Sequence, residues 1–327
     1  MSTHEHDHNE LPLVDQSEGG CGEDCACGDG EESGLDPALA ELLEESGLDP
    51  IEVEDIAHMA LSEDLDGGVD VTTVATVPEE AEAIADFVAR EDGVVAGLRI
   101  AEAVFSIVCT ESFEVERHAE DGDSVKAGQV LLSVRSRTRD LLTAERSALN
   151  IVCRLSGIAT ETRRWVDALE GTGTKVRDTR KTTPGLRSLE KYAVRCGGGT
   201  NHRMSLWDAA LVKDNHVVAA GGVTQAFNAV REAFPEVSIE VEVDTLEQVG
   251  EVLEAGAGLI LLDNFTVERT AQAVALVAGR AKLESSGRLV LDTARAYAET
   301  GVDFLAVGGL THSAPILDIG LDLREAV

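Results

Sequence analysis

Positive charge is what this sequence lacks most. Against 61 acidic residues stand 27 basic ones, a formal net charge of −34 over 327 residues, and only six of the basic residues are lysine. Nonspecific binding to nucleic acid or to an anionic membrane surface needs a basic face, so neither is expected as a partner. An acidic, lysine-poor surface fits a protein working in concentrated salt, where repulsion between carboxylates is screened. The alternative is an ordinary acidic cytosolic protein. Long apolar runs are missing too. The longest stretch without a charged residue, 215–230, has 16 residues and is interrupted by Gly, Asn and Gln, short of the ~18–20 apolar residues a membrane span requires. The first 36 residues hold eleven acids and no Lys or Arg, so the basic-then-apolar pattern of a secretory signal is absent and a cytoplasmic location is expected. Cysteine is scarce: Cys21, Cys25 and Cys27 sit near the start, and Cys109, Cys153 and Cys196 are isolated. No disulfide framework is expected.

With 43% hydrophobic residues, there is enough apolar material for a core, and the length allows about two domains or one barrel. Residues 1–34 read as a disordered acidic tail. There His4, His6 and His8 precede a Cys-x3-Cys-x-Cys run, which offers soft ligands to a thiophilic metal without matching a standard zinc framework; a solvated tail is the other reading. Residues 35–147 read as a mixed α+β domain. Its expected helices are near 36–43, 51–61 and 100–108, and its strand-like runs are 71–77, 84–88, 94–95, 113–117 and 130–134. A helix over 139–157 crosses to the rest of the chain. Across 148–327, short apolar strands (175–178, 209–213, 239–243, 259–262, 289–291 and 304–307) alternate with helices (224–234, 246–255, 267–278 and 293–300). Repeated βα units imply a parallel sheet, closed as a barrel or doubly wound. In a barrel, chemistry sits on the loops after the strands.

That rule directs attention to 175–213. These 39 residues hold nine Lys/Arg and three acids, a local excess of positive charge within an acidic chain. Such a concentration suits an anionic ligand, because Arg forks pair with carboxylate or phosphate; ion pairing to the chain's own carboxylates is the alternative. Gly197-Gly-Gly-Thr-Asn-His-Arg203 is a glycine run whose N–H groups can approach an anion. Strand 239–243 alternates, so Glu240, Glu242 and Asp244 share a face, and strand 259–262 ends at Asp263. Acids at barrel strand ends can hold Mg2+ together with substrate phosphates, although a salt bridge is an equal reading for Glu240 and Asp244. Ser286, Gly287, Gly308, Gly309 and His312 fit a phosphate site on the last two strand loops.

Thr179-Arg-Lys-Thr-Thr-Pro-Gly-Leu-Arg187, Gly198-Gly-Thr-Asn-His-Arg-Met-Ser-Leu-Trp-Asp208 and Leu211-Val-Lys-Asp-Asn-His216 together resemble the quinolinate phosphoribosyltransferases. So do Glu145-Arg-Ser-Ala-Leu-Asn150, Glu240-Val-Glu-Val-Asp244, Leu262-Asp-Asn-Phe265 and Val307-Gly-Gly-Leu-Thr-His-Ser313. The resemblance runs from about Asp36 to Leu323 and leaves the tail without a counterpart. It implies an α/β sandwich-like N-terminal domain joined to an incomplete α/β (TIM-like) barrel. The implied reaction joins quinolinate to phosphoribosyl pyrophosphate with Mg2+, giving nicotinate mononucleotide, pyrophosphate and CO2 in NAD biosynthesis. It also implies a homodimer or homohexamer in which an arginine matching Arg146 reaches the neighbour's site.

The residue reading agrees with that chemistry. Arg146, Thr179, Arg180, Lys181, His202, Arg203 and Lys213 are expected around quinolinate. Lys181, Lys213, Glu242, Asp263, Ser286, Gly287, Arg288, Gly308, Gly309 and His312 are expected around the phosphoribosyl donor, with Glu242 and Asp263 also as Mg2+ ligands, partly through substrate. Lys181, Lys213, Glu242 and Asp263 are the expected catalytic groups. Arg288 departs from the family pattern and either reaches the 5′-phosphate or lies on the surface. Asn215 and His216 are expected in packing or hydrogen bonding. A non-decarboxylating phosphoribosyltransferase of nicotinate or another N-heterocycle is the runner-up. A Schiff-base aldolase using Lys213 or Lys181 and a metal-buffering tail are the remaining readings.

Overall fold

The computed structural model describes residues 33–110 and 113–326; the His/Cys cluster of the tail lies outside them. Side-chain carboxylates begin the first three helices. Asp36 accepts from the backbone N–H groups of Ala38 and Leu39 at the head of α1 (Pro37–Glu45), and Asp49 from Ile51 at the head of α2 (Pro50–Leu65). Both helices open on proline, which has no N–H to leave unpaired there. Asp70 caps α3 (Val71–Thr76), accepting from Thr73 N at 2.9 Å. This segment was expected as a strand. Its β-branched residues favour that locally, but the cap satisfies the first-turn donors and Thr73 is buried, while Val71 and Val74 stay exposed.

The chain continues through β1 (Glu82–Ala89), β2 (Gly93–Val94), α4 (Leu98–Val108), β3 (Glu114–Arg117), β4 (Ser124–Val125) and β5 (Val130–Arg137). Strands β1, β5 and β3 form an antiparallel sheet, and β2 pairs with β4. The buried face of β1 packs on α4, where Phe87 and Phe105 meet edge to face with ring centroids 5.7 Å apart.

Helix α5 (Thr138–Ala168) joins two cores. Leu141, Ala144, Ala148 and Val152 enter the core around Phe87, and Leu155, Ile158 and Trp165 enter the core of the parallel sheet. The helix was expected to end at Gly157, but it continues eleven residues further. Gly157 is there for space: a Cβ on it would overlap the carbonyl oxygen of Pro315.

The rest follows the βα rhythm: β6 (Lys175–Arg177), α6 (Arg187–Cys196), β7 (Ala210–Val212), α7 (Asp214–Ala220), α8 (Val223–Ala233), β8 (Ile239–Val243), α9 (Leu246–Glu254), β9 (Leu259–Asp263), α10 (Val267–Val277), β10 (Lys282–Ser286), α11 (Leu291–Ala298), β11 (Phe304–Ala306), α12 (Gly309–His312) and β12 (Ile319–Glu325). The six-stranded parallel sheet runs β6-β11-β10-β9-β8-β7. It is an α/β barrel left open between β6 and β7, where Thr200 bridges to Arg177 along the free edge of β6. Two sequence expectations change here. The late strand is β10 and not 289–291: Glu284 and Ser285, on opposite faces of β10, are both polar and fully buried, so the run lacks the apolar signature of a buried strand. The segment 148–327 also does not belong wholly to the barrel, since β12 returns to pair antiparallel with β1 in the N-terminal sheet. Among the described residues, no helix is long and apolar enough to cross a membrane.

Candidate active site

The loop after β6 is anchored by a fully buried ion pair. Lys191 of α6 donates from Nζ to Asp178 Oδ1 at 2.5 Å and to the carbonyl of His202 at 2.9 Å. Asp178 also accepts from His202 N at 2.7 Å and from Asn201 Nδ2 at 2.6 Å. Three segments (the end of β6, α6 and the glycine run 197–203) are thereby fixed to one another. Breaking such a pair by removing one partner costs about 3–5 kcal/mol.

Above this anchor, at the C-terminal ends of the strands, lies a cavity of about 270 Å³ lined by Thr179, Arg180, Lys181, His202, Arg203 and Lys213 on its cationic side. Glu242, Glu284 and Ser286 line it too. Arg203 donates to the carbonyl of Ala209 at 2.9 Å, and burial together with the neighbouring Arg180 guanidinium pushes its pKa below the usual arginine value. Arg180 Nε is buried and has no hydrogen-bond partner among the described residues. An unpaired buried donor on a charged group costs more than the ~1–3 kcal/mol of a neutral one, and an anion beside the two guanidiniums would offset that cost. On the other wall, Lys213 Nζ donates to Glu242 Oε2 at 2.6 Å.

The floor is a network of its own. His202 Nδ1 accepts from Arg203 N at 2.7 Å, which assigns the ring proton to Nε2; that atom lies 2.7 Å from Glu240 Oε2 and 3.6 Å from Glu284 Oε1. Arg177 Nη1 donates to Glu284 Oε2 at 2.5 Å. Burial, and then the charge of Glu240, raise the Glu284 carboxyl to about 8. His202, Glu240 and Glu284 are near enough for a metal site. A histidine whose Nδ1 accepts a backbone N–H, however, keeps its proton on Nε2 and has no lone pair left for an ion.

The residues of this cavity fall within 158–322, which match the family model of the C-terminal domain of quinolinate phosphoribosyl transferase, and residues 70–156 match that of its N-terminal domain. The chain belongs to the quinolinate phosphoribosyltransferase family. It is 55% identical over 273 residues to the nicotinate-nucleotide pyrophosphorylase [carboxylating] of Mycobacterium leprae, covering 82% of this chain and 96% of the relative. It is 40% identical over 291 residues to a mitochondrial quinolinate phosphoribosyltransferase [decarboxylating] of Nicotiana glauca, covering 83% and 82%. The crystal structure of NadC from Streptococcus pyogenes superposes with a TM-score of 0.82 at 40% identity, covering 86% of this chain and 99% of that one.

In this quinolinate phosphoribosyltransferase-family chain, eight of the nine cations of 175–213 divide by role, and Lys175 is exposed at the start of β6. Arg180, Lys181, Arg203 and Lys213 line the cavity. Lys191 is paired internally with Asp178 and Arg177 donates to Glu284, while Arg187 and Arg195 bond to backbone carbonyls and polar side chains. Asp263 lies outside the main cavity and lines an adjoining one of about 210 Å³ with Glu242, Asp214 and Asp244. Gly287 and Arg288 turn away from Ser286 into an open groove. Gly287 has φ +98°, and a Cβ there would overlap Asn264 Oδ1. Gly308 packs against the Lys181 side chain, and His312 bonds to Ser313 Oγ at 2.6 Å. Arg146 is exposed on α5, outside the cavity lining. His216 Nδ1 accepts from Lys213 N at 3.0 Å and so caps α7. Sequence reasoning passed over Glu284. A lone acid in Lys-Leu-Glu-Ser-Ser carries no signal until β10 turns it toward Arg177.

Proposed function

We propose that this chain transfers the phosphoribosyl group of phosphoribosyl pyrophosphate to quinolinate with loss of CO2, forming nicotinate mononucleotide and pyrophosphate. The observation that carries this reading is the Arg180–Arg203 pair, two adjacent guanidiniums with an unpartnered buried Nε, set in a cavity sized for a small ring. A planar dicarboxylate meets such a pair with both its carboxylates, whereas a monocarboxylate would leave one guanidinium uncompensated. The curated relatives named as carboxylating or decarboxylating enzymes support the same choice over a non-decarboxylating transferase.

In this mechanism Arg180 and Arg203 orient the ring so that its nitrogen faces the sugar carbon of the donor, and holding both reactants together supplies roughly 7–11 kcal/mol. Lys181 and Lys213 take the pyrophosphate, and Ser286, with Gly308, Gly309 and His312 beyond Lys181, takes the 5′-phosphate. Glu242 stabilises the cationic sugar that develops as the C1′–O bond breaks. Once the ring nitrogen is alkylated, the ring withdraws electrons from the adjacent carbon. The C–C bond to the neighbouring carboxylate then breaks, CO2 leaves, and that carbon takes a proton. The all-oxygen donor set of Glu242, Asp263, Asp214 and Asp244 around one small cavity fits Mg2+, which prefers carboxylates plus substrate phosphates. Glu242 and Asp263 would hold the ion, which would supply positive charge to the leaving pyrophosphate. Arg146, exposed and off the cavity, supports a homo-oligomer, dimer or hexamer, in which it reaches a neighbour's site; a cytoplasmic location goes with this reading.

The test is a product assay with quinolinate, phosphoribosyl pyrophosphate and Mg2+ in molar KCl, following CO2 and mononucleotide together. Equal amounts of both, abolished by chelation, are expected. A mononucleotide formed from nicotinate without CO2 would replace this reading with the non-decarboxylating one, and no product from folded protein would overturn both.

A further inference from the structure

Beneath the cavity, four residues that no part of the mechanism uses (Arg154, Thr183, Glu190 and Thr311) close a hydrogen-bonded ring through the main chain at Lys181. Thr311 Oγ1 donates to the carbonyl of Lys181 at 2.8 Å. The carbonyl of Thr311 accepts from Arg154 Nη2, and that same nitrogen donates to Glu190 Oε1 at 2.8 Å. Glu190 completes the circuit by accepting from Thr183 N at 3.0 Å and Thr183 Oγ1 at 2.7 Å, two residues from Lys181. Thr311 and Glu190 are fully buried. Arg154 adds a third tie through Nη1 to the carbonyl of Ala314 at 3.2 Å.

The ring joins two loops that follow neighbouring strands. One follows β6 and carries Arg180 and Lys181; the other follows β11 and carries Gly308, Gly309 and His312. Pairing between β6 and β11 ends at Arg177 and Ala306, so strand register does not set the gap between the loops beyond that point. The Lys181 side chain crosses the gap and lies against Gly308, where a Cβ would come within 3.1 Å of Lys181 Cδ. A small change in loop spacing therefore moves a cation relative to the backbone N–H groups opposite it.

We infer that the Arg154–Glu190–Thr311 ring is a positioning device for the phosphoribosyl donor: it sets the distance between the Lys181 loop and the 308–312 loop so that one polyphosphorylated ligand can bridge them. This rests on the phosphoribosyl-transfer reading. The ring residues touch no substrate. They act through the main chain of Lys181 and of α12, and the binding of the donor, which spans both loops, is expected to depend on the ring more than that of quinolinate, which sits among Arg180, Arg203 and Lys213.

Thr311→Val keeps the shape and removes the hydroxyl, and Thr311→Ser restores it. Steady-state kinetics on the full chain, varying each substrate separately, should show the donor KM rising about tenfold in Thr311→Val, the scale expected when a binding group is displaced by a fraction of an ångström. The quinolinate KM should stay within about threefold, and Thr311→Ser should stay near wild type on both. Thr183 is exposed, so Thr183→Val is safe for folding; it should shift the donor KM in the same direction by a smaller factor. A donor KM unchanged in both valine variants overturns the proposal whatever happens to Tm, as does an equal rise in both KM values without rescue by serine, the mark of a merely structural role. A wild-type chain that makes no product would instead overturn the phosphoribosyl-transfer reading, so the two failures are distinct.

Discussion

Glu284 ties the stability of the fold to pH through one buried carboxyl. Its carboxyl is buried beside Glu240, with Arg177 on one oxygen, and burial and then Glu240 raise it to about 8 from an ordinary 4.5. Between those two values the folded chain holds a proton that the unfolded chain has released. Stability from this group is therefore complete below about pH 4.5 and declines as pH rises through about 8. Glu284→Gln keeps the shape and removes the titration. The Tm of the variant relative to wild type should rise steadily from pH 5 to 8.5 in scanning calorimetry; parallel Tm–pH curves would show that Glu284 does not hold its proton. The sequence that hides Glu284 displays Arg180, Lys181 and Arg203 openly, because loop cations after a strand stand out from an acidic background whereas an inward strand acid does not.

At the scale of elements, α5 is the piece on which both cores depend, and Gly157 sits where the helix passes the backbone at Pro315. Two effects oppose each other at that position. Alanine gains about 1 kcal/mol of helix propensity over glycine, while forcing a methyl into backbone that cannot give way costs about 1–3 kcal/mol or more. The contact is with main chain and not with a flexible side chain, so the clash should win. Gly157→Ala is expected to lower the urea midpoint by about 1–2 kcal/mol of stability, and a midpoint at or above wild type would show that 315–316 relaxes freely. The helix start at Asp70 teaches a related lesson. The β-branched run over 71–77 favours a strand locally, but one carboxylate accepting a backbone N–H decides for a helix.

For the whole molecule, the net charge of −34 predicts a stability that increases with salt. Exposed ion pairs such as Lys126–Asp92 and Arg280–Glu254 weaken on screening, but each contributes only about 0–1 kcal/mol. General repulsion among the excess carboxylates is screened at the same time, as the Debye length falls from about 10 Å at 0.1 M to about 3 Å at 1 M. Relief of repulsion should dominate, so Tm should climb as KCl is raised from 0.1 to 2 M; a flat or falling Tm would mean that the carboxylates lie too far apart to matter.

The sequence by itself determined the family, the βα rhythm of the barrel and the identity of the loop cations. Those features are local: a strand–loop–helix repeat and a run of charge survive in any linear reading. Tertiary structure alone decided which of the nine cations line the cavity, because Lys191 and Arg177 are bonded by acids brought alongside by the fold, Arg177 by one more than 100 residues away. It also returned β12 to the N-terminal sheet and closed the ring of Arg154, Glu190 and Thr311 across loops that are distant in the chain. Burial and pairing set those outcomes, and both depend on what the fold brings alongside a residue, which its chain neighbours do not encode.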